Sequence, residues 1–320
     1  MKGRTIHLLV TFDKNYIRPF QVMLRSLEIN NPGESFHVWL LHSAVSQPDL
    51  RMLNEYCSSL RAAFTAIQVD RTFFENAPIS KQYPQEMYYR LLAPLLLPDS
   101  LERILYLDPD ILVINPVRPL WELELGDNIF AAASHTGLFD VMNDVNRVRL
   151  KQDHDYFNSG VMLMDLERAR GIVKPQEIFD CVREHQAELV LPDQDVFNFL
   201  YGDRTLQVDD AVWNYDARNY NNYMLRSAGE QNARWVMDNT AILHFCGKRK
   251  PWHKTARGRF SALYKHYQRL LERLEIRPSP LEMVAVAFSD QAAEITIGSE
   301  FVFYEHISTV TEHEIVYQYN

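Results

Sequence analysis

Short apolar runs alternate with segments of helical spacing through the first 110 residues, and this alternation restricts the fold more than any other feature. It predicts strands at 6–11, 36–41, 64–69 and 103–107, and helices at 16–29, 48–60 and 85–92. Strands separated by helices form a mostly parallel sheet with helices on both faces. Ligands bind beyond the carboxyl ends of such strands, so we expect a site near residues 11–16 and 108–110.

The pattern is less regular beyond residue 110. It predicts strands at 111–113, 129–133, 160–164 and 241–244, helices at 176–188 and 194–200, and an irregular loop at 213–223. We therefore expect the α/β pattern of the first part to continue with shorter elements.

A change of charge marks the last part of the chain. Residues 248–277 carry ten Lys or Arg against two Glu, whereas 281–320 carry seven acidic residues and no Lys or Arg. Apolar residues alternate with polar ones around 294–297 and 301–304, which predicts strands. We predict an α/β domain over 1–275 and a small β-rich extension over 276–320.

The overall charge argues against binding to polyanions. The 320 residues include 33 Lys or Arg and 42 Asp or Glu, a formal net charge of -9. A chain with this net charge has no overall positive potential that would attract nucleic acid or anionic lipid. The acidic tail also disfavours docking on a membrane. The basic segment 248–277 is a weaker candidate for membrane contact.

Three widely spaced cysteines, Cys57, Cys181 and Cys246, are odd in number and form no CxxC pair. This spacing predicts neither a disulfide framework nor a structural zinc site, and it favours a reducing cytoplasm. The apolar run at 6–10 is shorter than a secretory signal requires. No stretch approaches the roughly 18 apolar residues of a membrane span.

Two carboxylates, Asp108 and Asp110, interrupt an otherwise apolar segment directly after the strand at 103–107. Ionised groups beside buried strands are costly without a partner, and two nearby carboxylates repel each other unless a cation neutralises them. A divalent metal is therefore the favoured interpretation. A solvated turn at the end of a strand is the alternative.

A second candidate ligand, His244, ends a strand far along the chain and is followed by Gly247 and the basic run Lys248, Arg249 and Lys250. Histidine beside two carboxylates suits Mn²⁺, glycine permits close approach of a ligand, and the cations suit phosphate oxygens. Taken alone, His244 would be a hydrogen-bonded core histidine and the basic run a solvated loop. Together with the carboxylates, the set predicts a site for a metal and a diphosphate.

Six groups of residues, in order and spacing, resemble glycosyltransferase family 8 over roughly residues 4–260. They are Thr11, Asp13, Asn15 and Tyr16; Tyr88-Tyr89-Arg90-Leu91; Leu105-Tyr106-Leu107-Asp108-Pro109-Asp110; Tyr156-Phe157-Asn158-Ser159-Gly160-Val161; Asp193-Gln194-Asp195; and His244-Phe245-Cys246-Gly247 with Lys250-Pro251-Trp252-His253. The chain is similar to bacterial lipopolysaccharide and lipooligosaccharide glucosyl- and galactosyltransferases and to general-stress-protein members.

The resemblance implies a GT-A fold, a Rossmann-like nucleotide-diphospho-sugar transferase. It also implies retaining transfer of glucose or galactose from a UDP-sugar to a saccharide or glycolipid acceptor, with Mn²⁺ or Mg²⁺. We expect a cytoplasmic enzyme with at most peripheral contact at the inner face of the membrane.

The resemblance also assigns residues. It places Asp108, Asp110 and His244 on the metal; Thr11, Asp13, Asn15 and Tyr16 on uracil and ribose; Arg90, Gly247 and Lys250 near the sugar and diphosphate; and Asn158, Asp193 and Gln194 around the transferred hexose. Each has a simpler reading: Tyr16 as a packing residue at a helix start, Arg90 as a surface ion pair, Asn158 as a turn residue and Asp193 as a helix cap.

Retention by double displacement needs a carboxylate on the far face of the sugar, where the resemblance places Gln194, a poor nucleophile. We therefore expect attack from the same face as the leaving diphosphate, with Gln194 and Asp193 positioning the sugar. One departure from the family concerns His135, which stands where relatives often carry an Asp.

Two other functions are weighed against this one. A phosphohydrolase of the haloacid-dehalogenase type has its acidic pair after the first strand and Thr or Val four positions after the first Asp. Here the pair is in mid-chain and Leu112 occupies that position, which disfavours this class. A sugar-nucleotide-binding protein with little transfer activity stays open.

Overall fold

The computed structural model describes residues 5–80, 85–135 and 141–275, together with four short strands between 295 and 315. The chain divides into two compact units, Met1–Gln268 and Arg269–Asn320. The sequence-based boundary after residue 275 stays a prediction.

The strands are β1 (Ile6–Thr11), β2 (Phe36–His42), β3 (Ala63–Gln68), β4 (Arg103–Leu107), β5 (Ile111–Val113), β6 (Phe130–Ser134), β7 (Phe157–Asp165), β8 (Thr205–Val208), β9 (Tyr215–Asp216), β10 (Ile242–His244), β11 (Ile295–Ile297), β12 (Glu300–Val302), β13 (Val310–Thr311) and β14 (Glu314–Ile315). The helices are α1 (Ile17–Asn30), α2 (Gln47–Ser59), α3 (Met87–Leu91), α4 (Ala93–Leu96), α5 (Arg118–Trp121), α6 (Val141–Leu150), α7 (Leu166–Ile172), α8 (Pro175–Glu184), α9 (Pro192–Tyr201), α10 (Asp210–Trp213), α11 (Tyr220–Arg226), α12 (Ala233–Asn239) and α13 (Ser261–Glu275). Short 3-10 helices cover Lys14–Tyr16, Arg71–Phe74 and Gly202–Arg204.

A seven-stranded sheet in the order β3-β2-β1-β4-β7-β6-β8 forms the centre of the first unit. Its neighbours pair in parallel except on the two sides of β7, which therefore runs against the other six strands. Leu8, Leu9 and Val10 of β1 are fully buried, as expected for a strand covered on both faces. The sequence-based prediction of a mostly parallel α/β sheet is confirmed.

A second, three-stranded sheet in the order β5-β10-β9 joins distant parts of the chain. β5 pairs antiparallel with β10, so that His244 lies opposite Ile111, and β10 pairs in parallel with β9. Because β5 begins directly after Asp110, this pairing brings the end of β10 to the two carboxylates.

The predicted helix 85–92 is shorter in the structure, where α3 covers Met87–Leu91 and a second short helix follows it. α3 ends at Leu91 and α4 begins at Ala93, with Leu92 between them. Pro94 has no N–H to donate, and it stands in the first turn of α4, where a helix tolerates proline best. The proline therefore starts the second helix.

The predicted irregular loop at 213–223 is wrong for most of its length, because the last residue of α10, the whole of β9 and the first four residues of α11 lie in this segment. Asp209 accepts a hydrogen bond from Ala211 N and so begins α10. Farther along, the Tyr223 hydroxyl donates to Asp210 Oδ2 at 2.9 Å and accepts from Asp216 N at 3.1 Å. These tertiary contacts order a stretch whose Asn-rich composition suggests a loop. The sequence also did not predict β8, α6, α7 and α12.

The second unit contains two pairs of antiparallel strands, β11 with β12 and β13 with β14. The first pair falls on the predicted strands of the tail, although residues 294, 303 and 304 lie outside the described part of the chain. Among the residues that the structure describes, no helix combines the length and the apolar character needed to cross a bilayer.

Candidate active site

Backbone pairing brings Asp108, Asp110 and His244 together. Asp108 N donates to Gly160 O of β7 at 2.8 Å, and Phe245 N donates to Asp110 O at 3.0 Å. His244 Nε2 lies 3.3 Å from Asp110 Oδ1 and 3.8 Å from Asp108 Oδ2. Their candidate ligand atoms all lie within 4.8 Å of one another. The three predicted metal ligands therefore form one cluster, and their role in metal binding stays a prediction.

The lack of a side chain at Gly160 makes room for this cluster. A Cβ atom at this position would lie 2.3 Å from Cε1 of His244 and 2.8 Å from Oδ2 of Asp108. Such distances are far shorter than normal contacts, so a side chain at residue 160 would displace the imidazole or the carboxylate.

A chain of hydrogen bonds fixes the orientation of His244. Gly160 N donates to Asn158 Oδ1 at 2.9 Å, so that atom must be the amide oxygen. Asn214 Nδ2 donates to the same oxygen at 2.9 Å, which turns Asn214 Oδ1 towards His244 Nδ1 at 2.9 Å. Since an amide oxygen only accepts, Nδ1 carries the proton and Nε2 faces the carboxylates.

The charges in the cluster affect one another. Burial raises the pKa of Asp108, although Arg90 acts against it. Burial also opposes ionisation of Asp110, but His244 and Lys250 outweigh it and hold the pKa of Asp110 below its ordinary value. Burial favours neutral His244, yet Cys246 and Asp110 raise the pKa of this imidazole. Asp110 is therefore the more readily ionised of the two carboxyl groups.

Arg90, from α3, joins the two halves of the site. Its guanidinium lies 3.1 Å from Asp108 Oδ1 and 3.2 Å from Asp193 Oδ2. It also donates to Ser159 O at 3.3 Å and stacks over the Tyr106 ring, 4.6 Å from the ring centroid. Arg90 is therefore a largely buried bridge between two acidic residues, with its side chain 15% exposed, and not the surface ion pair of the simpler interpretation.

The three residues predicted around the hexose also lie close together. Asn158 Nδ2 donates to Gln194 Oε1 at 3.0 Å, and Ser159 Oγ donates to Asp193 Oδ2 at 3.3 Å. The start of β7 and the first turn of α9 therefore face each other. Because β7 runs against the other strands, its first residues lie at the edge where the parallel strands end.

Asp195, the last acidic residue of the Asp193-Gln194-Asp195 group, has a different environment. It is fully buried and accepts from Leu191 N at 2.9 Å, from Arg149 at 2.7 Å and from the Tyr156 hydroxyl. These bonds anchor the first turn of α9, which carries Asp193 and Gln194.

The residues predicted to contact the nucleoside lie on the loop after β1. Thr11 Oγ1 is 3.3 Å from the Tyr106 hydroxyl, and Asp13 accepts from the backbone and side-chain nitrogens of Asn15 at 2.9 and 2.8 Å. Asp13 thereby begins the short helix that contains Tyr16. The Tyr16 ring meets the edge of Trp252, with 5.9 Å between ring centroids. The Asp13–Asn15 contacts therefore hold this loop in a turn.

The segment predicted to hold the diphosphate lies against the same cluster. Gly247 has a φ of +79°, a conformation that favours glycine, and a Cβ there would lie 2.6 Å from Arg218 Nη1. Lys250 Nζ donates to Phe245 O at 3.0 Å and pairs with Asp110 Oδ2. Lys250 thus neutralises one of the predicted metal ligands, and its predicted contact with the diphosphate stays a prediction.

His135 contacts the backbone of Asn214, whose side chain contacts His244. His135 Nε2 lies 2.7 Å from the Asn214 carbonyl oxygen. Burial lowers the pKa of His135, although Asp216 acts against it.

The sequence reasoning missed Asn214, which lies at the end of α10 inside the segment expected to be irregular. An amide between the apolar residues Val212, Trp213 and Tyr215 was the available signal, since a polar group there needs a specific partner.

The chain is similar to known proteins of one family. The profile of glycosyl transferase family 8 matches residues 7–256. General stress protein A of Bacillus subtilis (strain 168) is 28% identical over 274 residues, which cover 83% of this chain and 94% of that protein. Lipopolysaccharide 1,2-glucosyltransferase of Escherichia coli (strain K12) is 24% identical over 253 residues, covering 76% of this chain and 72% of that protein.

The fold has a counterpart among solved structures. A crystal structure of the galactosyltransferase LgtC with donor and acceptor sugar analogs superimposes with a TM-score of 0.70 at 21% identity, covering 83% of this chain and 96% of that one. This likeness confirms the predicted GT-A fold. The profile match spans well over half of the sequence, and the chain belongs to glycosyl transferase family 8.

Proposed function

We propose that this protein transfers glucose or galactose from a UDP-sugar to a saccharide or glycolipid acceptor, with retention of anomeric configuration and with a divalent metal. The observation that carries the proposal is the meeting of Asp108, Asp110 and His244, which the pairing of β5 with β10 brings together. The family membership and the lipopolysaccharide glucosyltransferase among the relatives support this class of reaction.

The donor set fits a divalent ion such as Mn²⁺ or Mg²⁺. Asp108 and Asp110 would offer carboxylate oxygens and His244 its Nε2, while Gly160 keeps the space beside them open. Asn214 orients the imidazole, as outer hydrogen bonds do at metal sites. A bound divalent ion supplies electrostatic stabilisation to the negative charge of a departing diphosphate.

Lys250 would provide a second positive charge for the diphosphate. Its ammonium already lies beside Asp110, so a short movement would transfer it to phosphate oxygens. Gly247, with its positive φ, allows the backbone of this segment to approach the phosphates closely. Thr11, Asp13, Asn15 and Tyr16 would then hold the uridine beyond the end of β1.

The surroundings of the acidic residues favour attack from the same face. Asp193 is paired with Arg90 and hydrogen-bonded by Ser159, so its negative charge is already neutralised. Asp195 is fully buried and bonded to Arg149 and Tyr156. Neither carboxylate is placed as a free nucleophile, and Gln194 is a poor one. We infer that these residues position the hexose while a phosphate oxygen of the leaving group accepts the proton of the acceptor hydroxyl.

The test measures UDP release from UDP-glucose and UDP-galactose with Mn²⁺, with and without EDTA, followed by a panel of saccharide and lipid-linked acceptors. We expect metal-dependent release that Asp110→Asn abolishes while the circular dichroism spectrum is unchanged. Wild-type turnover in Asp110→Asn, or turnover that EDTA leaves unchanged, would contradict the metal assignment. Mass spectrometry of the stalled enzyme tests the mechanism, because a glycosyl adduct on Asp193 or Asp195 would contradict same-face attack.

Binding without turnover is the second candidate function. It predicts that UDP-sugar binds in the presence of Mn²⁺ but that no donor releases UDP with any acceptor of the panel. The intact set of candidate ligands favours transfer. We also propose that the protein acts in the cytoplasm, with at most peripheral contact at the inner face of the membrane.

A further inference from the structure

His135, Asp216 and Cys246 form a second group of ligand-type side chains beside the Asp108 cluster, where the Cys246 thiol is hydrogen-bonded to His244. His135 follows β6, Asp216 ends β9 and Cys246 lies shortly after β10. One ligand atom of each lies within 4.8 Å of the other two. Asp216 is fully buried and Cys246 is 8% exposed. We propose that these three residues bind a thiophilic divalent cation of the zinc class.

The three side chains offer a donor set typical of zinc. An imidazole nitrogen, a thiolate sulfur and a carboxylate oxygen are its usual ligands, and three protein ligands leave one tetrahedral position for water. Bonds of about 2.0–2.3 Å put the ligand atoms roughly 3.3–3.8 Å apart, so side-chain movements of about 1 Å would complete the site. Manganese and magnesium prefer oxygen ligands, such as those of Asp108 and Asp110. The thiol of Cys246 instead favours zinc at this second group.

Hydrogen bonds already orient two of the three ligands. His135 Nε2 lies 2.7 Å from the carbonyl oxygen of Asn214, and since a carbonyl only accepts, this nitrogen carries the proton and leaves Nδ1 for a metal. Asp216 accepts from Arg218 N at 3.0 Å and from Asn219 Nδ2 at 2.9 Å. Outer hydrogen bonds of this kind hold metal ligands in place.

The guanidinium of Arg218 competes for the carboxylate of Asp216, at 2.7 Å. The Arg218 side chain is 54% exposed, whereas the Asp216 carboxylate is 1% exposed and needs a positive partner, which either Arg218 or a metal ion can supply. A cation that binds Asp216 and the thiolate can therefore displace Arg218 into solvent. The zinc–sulfur bond forms as the thiol proton leaves to water, which makes the bound group a thiolate.

Cys246 directly precedes Gly247 in the segment proposed to hold the diphosphate. A cation on the thiolate would tie this segment to β6 through His135 and to β9 through Asp216. The site itself does not rest on the proposed function, because its ligands are defined by their positions alone.

Cobalt is the probe for the test, since Co²⁺ occupies zinc sites and a cobalt–thiolate bond gives a charge-transfer band in the near ultraviolet. The full chain is freed of metal with a chelator and titrated with Co²⁺. We expect the band in the wild-type protein and in Asp110→Asn, its loss in Cys246→Ser, and its displacement by one equivalent of Zn²⁺. Cys57→Ser and Cys181→Ser are matched controls that keep the band, because these cysteines lie in α2 and α8.

A second variant keeps the test decisive if Cys246→Ser does not fold. His135→Gln, checked by circular dichroism, should retain the thiol and bind Co²⁺ more weakly, with an altered spectrum. Absence of a thiolate band in the wild-type protein, persistence of the band in Cys246→Ser, or an unchanged titration of His135→Gln would each overturn the proposal. UDP release plays no part in these measurements, so the outcome is independent of the enzymatic assay.

Discussion

The Oδ1 atom of Asn214 lies 2.9 Å from Nδ1 of His244, and the amide nitrogen of the same residue lies 2.9 Å from Asn158 Oδ1. One fully buried amide therefore connects the candidate metal ligand His244 with the residue that holds Gln194. The backbone N–H of Gly160 donates to Asn158 Oδ1 and so fixes the orientation of the Asn158 amide. The Asn158 amide in turn fixes the orientation of Asn214.

Asn214→Ala should weaken Mn²⁺ binding by about 10- to 100-fold, since it removes the acceptor that orients His244. Isothermal titration calorimetry with Mn²⁺ gives the affinity directly. Asn239→Ala, at an exposed position near the end of α12, serves as the control and should bind Mn²⁺ as the wild type does. Unchanged affinity in Asn214→Ala would show that the hydrogen bond does not orient the ligand.

Arg90→Ala should lower the free energy of unfolding by about 3–5 kcal/mol, because it leaves Asp108 and Asp193 without their shared cation. Arg90→Lys should also lose activity, since an ammonium cannot reproduce the planar contacts of the guanidinium. Urea denaturation measures the first effect and UDP release the second. The control Arg234→Ala removes an exposed ion pair with Asp238 and should change stability by less than about 1 kcal/mol.

Gly160→Ala should abolish metal-dependent UDP release and destabilise the fold by about 1–3 kcal/mol, because the added Cβ meets the His244 ring at 2.3 Å. Gly171→Ala is the matched substitution, as nothing lies within 4 Å of a Cβ there. In the helix α7 it should stabilise the protein by roughly 0.4–1 kcal/mol. Thermal unfolding and UDP release of the two variants check these expectations, and similar behaviour of both would refute the steric argument.

Lys250→Ala should weaken UDP-sugar binding by roughly tenfold or more while uridine binding changes little, because the lysine is proposed to contact phosphate oxygens. Titration with UDP-glucose and with uridine separates the two effects. Lys254→Ala, four residues away and exposed, is the control for a general change of charge. Equal losses for both ligands would show that Lys250 does not recognise the diphosphate.

His42 predicts a dependence of stability on pH. It is 3% exposed, and burial lowers its pKa, so the unfolded chain binds this proton more readily than the folded one. The stability associated with neutral His42 is therefore complete above the unfolded pKa of about 6.5 and is lost as pH falls towards the lower, folded pKa. Urea denaturation at pH 7.5 and below pH 6 should show a smaller decrease in His42→Gln than in the wild type. An equal decrease would exclude this histidine as a source.

The sequence predicted the repetitive part of the fold better than the later part. Apolar periodicity located β1, β2 and β4 because they are mostly buried strands, and it located the edge strand β3 because its apolar residues follow an amphipathic helix. It did not locate α10, β9 and α11, whose order depends on contacts such as that of Tyr223 with Asp210 and Asp216. Local pattern carries no information about such partners.

The candidate site shows the same division. The resemblance selected Asp108, Asp110 and His244, which the structure brings within reach of one another. It did not indicate that Lys250 pairs with Asp110 or that Arg90 joins Asp108 to Asp193. Those pairings arise from burial and from charge balance between distant segments, and only tertiary structure determines them.

The pairing of β5 with β10 also affects when the site can form during synthesis. A nascent chain that has just emerged past β5 already carries both carboxylates, but His244 and the other two strands of the small sheet, β9 and β10, are still to be made. Manganese affinity should therefore arise late, after translation of β10, and a ribosome-stalled chain that stops before it should bind the ion weakly. The candidate active site would thus form in a single step, when β10 pairs with β5.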